Sequence, residues 1–180
     1  MQRAHTVHMP RGFYVGRFQP LHEGHEALLR EIARERDELV VGIGSADKSH
    51  SVDNPFTAGE RHVMLTRTLE TIDVDAYVVP LVDVDRNALW TSHVRSLCPP
   101  FDDVYSNNPL VTRLFEESGT DVHDLPMFNR QEYEGTGIRE RMLSGDPWED
   151  LVPDQVVDVI EEADGVGRLR DVAADDVAED

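Results

Sequence analysis

Short apolar runs punctuate the chain, each followed by a stretch of helical character, and this alternation restricts the fold more than any other feature. The runs are GFYVGR (12–17), ELVVGIGS (38–45), AYVVPLVDV (76–84) and DDVYS (102–106), with DVHDLPMF (121–128) as a fifth candidate. After the first, residues 23–36 place Ala27, Leu28, Ile32 and Ala33 between charges at helical spacing. After the second, Thr57-Ala58-Gly59-Glu60 is a capping box that opens a helix running to about Thr71. Residues 87–97 suggest a further helix, Asn108 with Pro109 at the first helical position opens another, and helices follow from Thr136 and over 154–163. Strand and helix in turn predict an α/β domain: a parallel sheet of about five strands with helices on both faces and right-handed crossovers. Ligands bind such sheets at the carboxyl ends of the strands.

The first of those ends is Gly16-Arg17-Phe18-Gln19-Pro20-Leu21-His22-Glu23-Gly24-His25. Free N–H groups and the positive end of a helix dipole make a strand-to-helix loop attractive to phosphate. Gly16 and Gly24 permit close approach, and Arg17 brings a fixed guanidinium. His22 and His25, three apart, share one face of a helix start. There they can donate to anionic oxygens and, when protonated, offset developing charge. Neither GxxxxGK[ST] nor GxGxxG is present, and no other histidine or cysteine has zinc-ligand spacing to the pair.

Composition bounds the setting. Cys98 is the only cysteine, so no internal disulfide forms, and a reducing cytoplasm is the simplest location. No apolar run reaches the roughly 18 residues of a membrane helix, so no membrane partner is expected. Residues 1–9, MQRAHTVHM, lack a signal peptide's apolar region and read as an extension or an expression remnant. The domain is placed at 10–168, with 169–180 as a solvated acidic tail. Thirty-six acidic residues against 17 basic give a net charge of -19, which argues against nucleic-acid binding. Lys48 is the only lysine. An acidic, lysine-poor shell suits a folded protein of a salt-accumulating cell, where screening removes surface repulsion.

GRFQPLHEGH resembles the signature of the H-x-G-H nucleotidylyltransferase superfamily. GSADKSHSVDNPFTAGER (44–61), NALW (87–90), PPFDDVYSNNPLV (99–111) and YEGTGIRERM (133–142) narrow this to the archaeal type of nicotinamide-nucleotide adenylyltransferase. The resemblance implies a Rossmann-like domain that makes NAD and pyrophosphate from ATP and nicotinamide mononucleotide by direct in-line attack. It assigns catalysis to His22, His25, Arg17 and Arg139. ATP binding falls to Gly16, Arg17, Phe18, His22, Gly24, His25, Thr136, Ile138 and Arg139. Thr136 would cap its helix and bind a phosphate oxygen, with Arg139 clamping the β- and γ-phosphates. Asp83, Asn87 and Trp90 would take the mononucleotide, Trp90 by stacking and Asn87 by pairing with the carboxamide. Magnesium or another divalent cation would be held through phosphates, with no metal ligands from the protein. A homo-oligomer, commonly a hexamer, is implied.

Three departures stand against the family pattern. Asp53 occupies a place where some relatives carry a basic residue, Asn107 replaces a glycine, and Glu134 and Gly137 replace a small residue and an acid that some relatives have around GTxIR. A sister enzyme using pantetheine phosphate or flavin mononucleotide, a non-catalytic nucleotide sensor, and a purely structural acidic protein are the competing readings.

Overall fold

The computed structural model describes residues 9–126 and 134–178. Five parallel strands form one sheet in the order β3-β2-β1-β4-β5. They are β1 (Arg11–Gly16), β2 (Glu38–Ile43), β3 (Asp75–Pro80), β4 (Asp103–Tyr105) and β5 (Val122–His123). The helices between and after them are α1 (Glu23–Glu35), α2 (Ala58–Ile72), α3 (Trp90–Leu97), α4 (Pro109–Glu117), α5 (Gly135–Ser144), α6 (Asp154–Glu162) and α7 (Gly165–Ala178).

Successive residues of a strand point to opposite faces, and the core divides accordingly. Phe13 and its partner Val40 pack on one face with Val104, Val94 of α3 and Phe115 of α4. Tyr14 and Val41 pack on the other with Leu29 and Ile32 of α1, Met64 and Leu65 of α2, and Ile138, Val156 and Leu169 from α5, α6 and α7. The order places β1 between β2 and β4, so the first and fourth loops open a crevice at the centre of the carboxyl edge.

The helix starts follow local chemistry. Thr57 Oγ1 accepts from Glu60 N at 3.2 Å while Glu60 Oε2 accepts from Thr57 N at 2.9 Å. Asn108 Oδ1 accepts from Leu110 N and Val111 N ahead of Pro109. At α5 the expectation is corrected: Glu134, without a side-chain cap bond, precedes the helix, and Thr136 lies inside its first turn.

Three segments differ in extent from the sequence reading. β3 stops at Pro80; Leu81 makes the last bond, to Ile43, and beyond it Val82 and Asp83 are exposed. The helix expected over 87–97 begins with a 3-10 turn at Asn87–Leu89. β5 has two residues, and positions 127–128 of the expected strand lie outside the described residues, as do positions 1–8 of the expected extension. Helix α7 runs through the stretch read as a solvated tail, and Leu169 is fully buried. Arg168, just before it, holds Glu60 at 2.7 Å and the Pro55 carbonyl at 3.1 Å, bracing the turn before α2. Among the described residues no helix is long and apolar enough to cross a membrane.

Candidate active site

The histidine pair forms the first turn of α1. His22 is the residue before the helix, in extended conformation, and His25 is the third residue within it. Each main-chain N–H donates to the other's ring: His25 N to His22 Nδ1 and His22 N to His25 Nδ1, both at 3.3 Å. The reciprocity is that of a capping box, with imidazoles in place of the usual hydroxyl and carboxylate. The rings stack with centroids 3.6 Å apart, and Phe18 lies 4.8 Å from His25. A nitrogen that accepts carries no proton, so each ring proton sits on Nε2, the atom away from the backbone.

Burial lowers the pKa of His22 to about 4. Burial, and then the neighbouring His22, hold His25 well below the ordinary histidine range. Both imidazoles are therefore neutral near pH 7 before any anion binds. Of the two roles read from the sequence, donation to anionic oxygens is open to the neutral rings, and offsetting charge would need a proton that burial disfavours here.

The loop before them is held by its own side chains. Phe18 has φ 53 and is buried, and its ring occupies the space beside Gly16, where a Cβ would lie 2.9 Å from Phe18 Cζ. Gln19 was not singled out from sequence, yet it is 4% exposed and fully engaged. Its Nε2 donates to the Phe56 carbonyl at 2.8 Å and its Oε1 accepts from Phe56 N at 2.9 Å. Its main-chain carbonyl accepts from Arg139 Nη1 at 2.8 Å. A buried amide in an apolar loop was the one available signal, and its partners lie too far along the chain to be read.

Arg139 is 4% exposed and reaches back along α5 toward the loop. Nη2 lies 3.3 Å from Thr136 Oγ1 and 3.4 Å from Asp53 Oδ1, and Nε is buried with no partner among the described residues. A Cβ at Gly135 would crowd both Arg139 Nη1 and the Gln19 carbonyl at 3.2 Å, so glycine leaves the guanidinium its path.

These groups line one cavity of about 550 Å³. Residues 16–20 form one wall with His22, Gly24 and His25; 106–109 and 125–126 form another, and Thr136 and Arg139 stand across from them. Ile138 does not belong to it: its side chain is fully buried in the core and its N–H bonds to the Glu134 carbonyl. Asp83, Asn87 and Trp90 are not in its lining either. They stand by the end of β3, where Ser45 Oγ donates to Asp83 Oδ1 at 3.2 Å. Trp90 packs edge-on against Phe115 at 5.6 Å, so much of its ring serves the core. Lys48 pairs with Asp47 at 2.9 Å and is exposed. Arg61, in the helix opened by the Thr57 capping box and not singled out from sequence, is fully buried below the loops.

Among the described residues no three His, Cys, Asp or Glu side chains gather as a metal would need. The charged lining is arginine and histidine with the exposed Glu134, a set that fits a phosphate chain and offers a metal ion little.

A cytidylyltransferase-like family model matches residues 13–141. A nicotinamide-nucleotide adenylyltransferase of Methanoculleus marisnigri is 60% identical over 93% of this chain and 100% of its own length. One from Halorubrum lacusprofundi is 58% identical over 92% and 94%. Among solved structures, a bifunctional NMN adenylyltransferase/ADP ribose pyrophosphatase of Francisella tularensis, complexed with AMP and a manganese ion, superposes with a TM-score of 0.72. Its identity is 17% and it matches 95% of this chain, which spans 54% of that protein; the likeness speaks for the fold.

Proposed function

Because the chain belongs to the cytidylyltransferase-like family and, within it, to the nicotinamide-nucleotide adenylyltransferases, we propose that the cavity at the end of β1 carries the adenylyl transfer. The enzyme joins ATP and nicotinamide mononucleotide into NAD and releases pyrophosphate. The mononucleotide's phosphate attacks the α-phosphorus in line, and no side chain becomes covalently linked. The burden on the protein is then positioning and charge stabilisation.

The reciprocal histidine cap is the observation that carries this reading. It commits both Nδ1 atoms to the backbone and leaves two Nε2–H donors fixed at a helix N-terminus. Such preorganised donors favour charge that builds on the phosphoryl oxygens and the departing pyrophosphate. Arg17 and Arg139 flank them as clamps for the triphosphate, and Arg139 Nε, which has no partner among the described residues, is a donor in want of an acceptor. A divalent cation, magnesium or another, would be held by the phosphates themselves and draw charge from them when bound. The acceptor site is assigned to Asp83, Asn87 and Trp90 at the β3 end of the same sheet edge.

The exposed Tyr77, Val82, Leu89, Leu97 and Leu110 support a homo-oligomer, and the single cysteine supports a cytoplasmic setting. The deciding experiment is NAD formation from ATP and nicotinamide mononucleotide with Mg²⁺ in molar KCl, beside His22→Ala. Turnover that collapses in the variant is expected. ATP binding without turnover would point first to another phosphorylated acceptor and next to the sensor reading.

A further inference from the structure

Arg61 is fully buried in α2, and its partners are all main-chain carbonyls. Nε donates to Thr57 at 3.2 Å; Nη1 donates to Arg17 and to Gly44, both at 2.9 Å. Nη2 reaches Ser45 and Lys48 at 3.2 Å and Ala46 at 3.5 Å. One guanidinium thus ties the end of β1, the loop after β2 and the first turn of α2 into a single unit. No carboxylate is among these hydrogen-bond partners; Asp47 and Glu60 favour its charge only through space.

A strut of this kind needs no charge for packing alone. Buried ions are often replaced by apolar residues of similar volume without loss of stability. A guanidinium earns its place where five fixed donors must hold several carbonyls in one geometry. One of those carbonyls belongs to Arg17, whose exposed side chain lines the cavity. The next strand's loop, residues 44–48, is held in the same grip, with Ser45 in the left-handed region at φ 48. Burial holds the pKa of Arg61 and Arg139 below the usual arginine value; Asp47 and Asp53 respectively oppose this, and Arg17 adds to it in both cases, so three cations stand near the end of β1.

We propose that Arg61 is a positioning residue for adenylyl transfer: it fixes the main chain of Arg17, so that the Arg17 guanidinium is presented to the triphosphate. The proposal rests on the assignment of Arg17 made above. Arg61 touches no substrate; it acts through the carbonyl it holds.

A double-mutant cycle on the full chain tests this, with Arg17→Ala, Arg61→Lys and the pair, each checked for folding by thermal unfolding. Arg61→Lys keeps the charge but loses the fork. The expected result is a folded Arg61→Lys whose kcat/KM for ATP falls about tenfold or more, an effect of the size seen for displaced positioning groups. The double variant should be no worse than Arg17→Ala alone, because the loss runs through Arg17. A folded Arg61→Lys with unchanged kcat/KM overturns the proposal, and so do losses that multiply in the pair. Arg61→Gln is the second variant; if neither it nor Arg61→Lys folds, Arg61 serves folding and the proposal falls. A fully active Arg17→Ala would overturn the assignment of Arg17, a result legible without Arg61.

Discussion

Asp53 Oδ1 lies 3.4 Å from Arg139 Nη2, so the arginine assigned to the β- and γ-phosphates already faces a carboxylate. Asp53 is 79% exposed at its side chain, which limits the contact to the weak class of surface ion pairs. Its influence on an incoming polyanion is repulsive. Asp53→Asn is expected to lower KM for ATP by up to about fivefold at low ionic strength, with the gain vanishing in molar KCl. Steady-state kinetics at two salt concentrations check this; a KM unaltered at low salt would show that the carboxylate stands clear of the bound nucleotide.

Removal of one preorganised donor from a transition state typically lowers kcat by 10²–10³. His25→Ala is expected to lose about 10² or more. The ring also caps α1, so substitutions that separate the two roles are informative. His25→Asn keeps a short acceptor for the His22 N–H and gives up Nε2, and should retain stability while losing turnover. An unchanged kcat in His25→Ala would remove the residue from the mechanism.

The buried histidines make the ligand-free protein sensitive to mild acid. Both titrate lower in the folded chain than in the unfolded one, His22 at about 4. The unfolded state therefore takes up protons first as pH falls, and the sign follows: stability is full above about pH 6.5 and declines toward pH 4. For His22 the span corresponds to about 3 kcal/mol at most. The two rings touch, so the loss belongs to the pair. Denaturant midpoints at pH 7, 6 and 5 should fall in sequence, and a flat profile would contradict the assignment.

Asn107, which stands in place of a glycine, does not adopt the left-handed conformation that glycine and asparagine tolerate. Instead Nδ2 donates to the Leu125 carbonyl at 2.8 Å and Oδ1 accepts from Leu125 N at 2.9 Å. The amide pins the segment after β5 that walls the cavity. Asn107→Ala leaves both Leu125 groups without these bonds and is expected to lose about 1–3 kcal/mol. Thermal unfolding measures this, and a variant as stable as the parent would show the clamp to be dispensable.

The acidic shell predicts a salt requirement. With a net charge of -19, self-repulsion opposes compaction until counter-ions screen it. The melting temperature and activity are expected to rise between 0.1 M and molar KCl. Equal values at both would sink the idea.

What the sequence disclosed was local. The strands came from apolar runs, and the caps at Thr57 and Asn108 from residues within three positions of one another. The histidine loop was legible because all its parts are contiguous. Gln19 meets Phe56 at a separation of 37 and Arg139 at 120, and such pairings leave no period in a sequence. Thr136 was misplaced because a GTG triplet opens a helix as readily at its glycine as after it. The packing of Trp90 against Phe115 was not legible beside its expected stacking role, since core and ligand uses of a ring look alike along the chain.

The buried arginines and the acidic envelope act on an arriving nucleotide at different ranges. At low salt the field of the envelope reaches far into solvent and turns an ATP molecule away; at 0.1 M salt its reach has already shrunk to about 10 Å. Within the crevice it meets Arg139, and from behind the wall it feels Arg61; burial spares both fields from most screening. Added salt erases the outer field and leaves the inner one. Capture should therefore quicken with ionic strength, the reverse of an enzyme that draws its substrate from afar, and the crevice would select for polyanions only after they have crossed a barrier that the cell's own salt lowers.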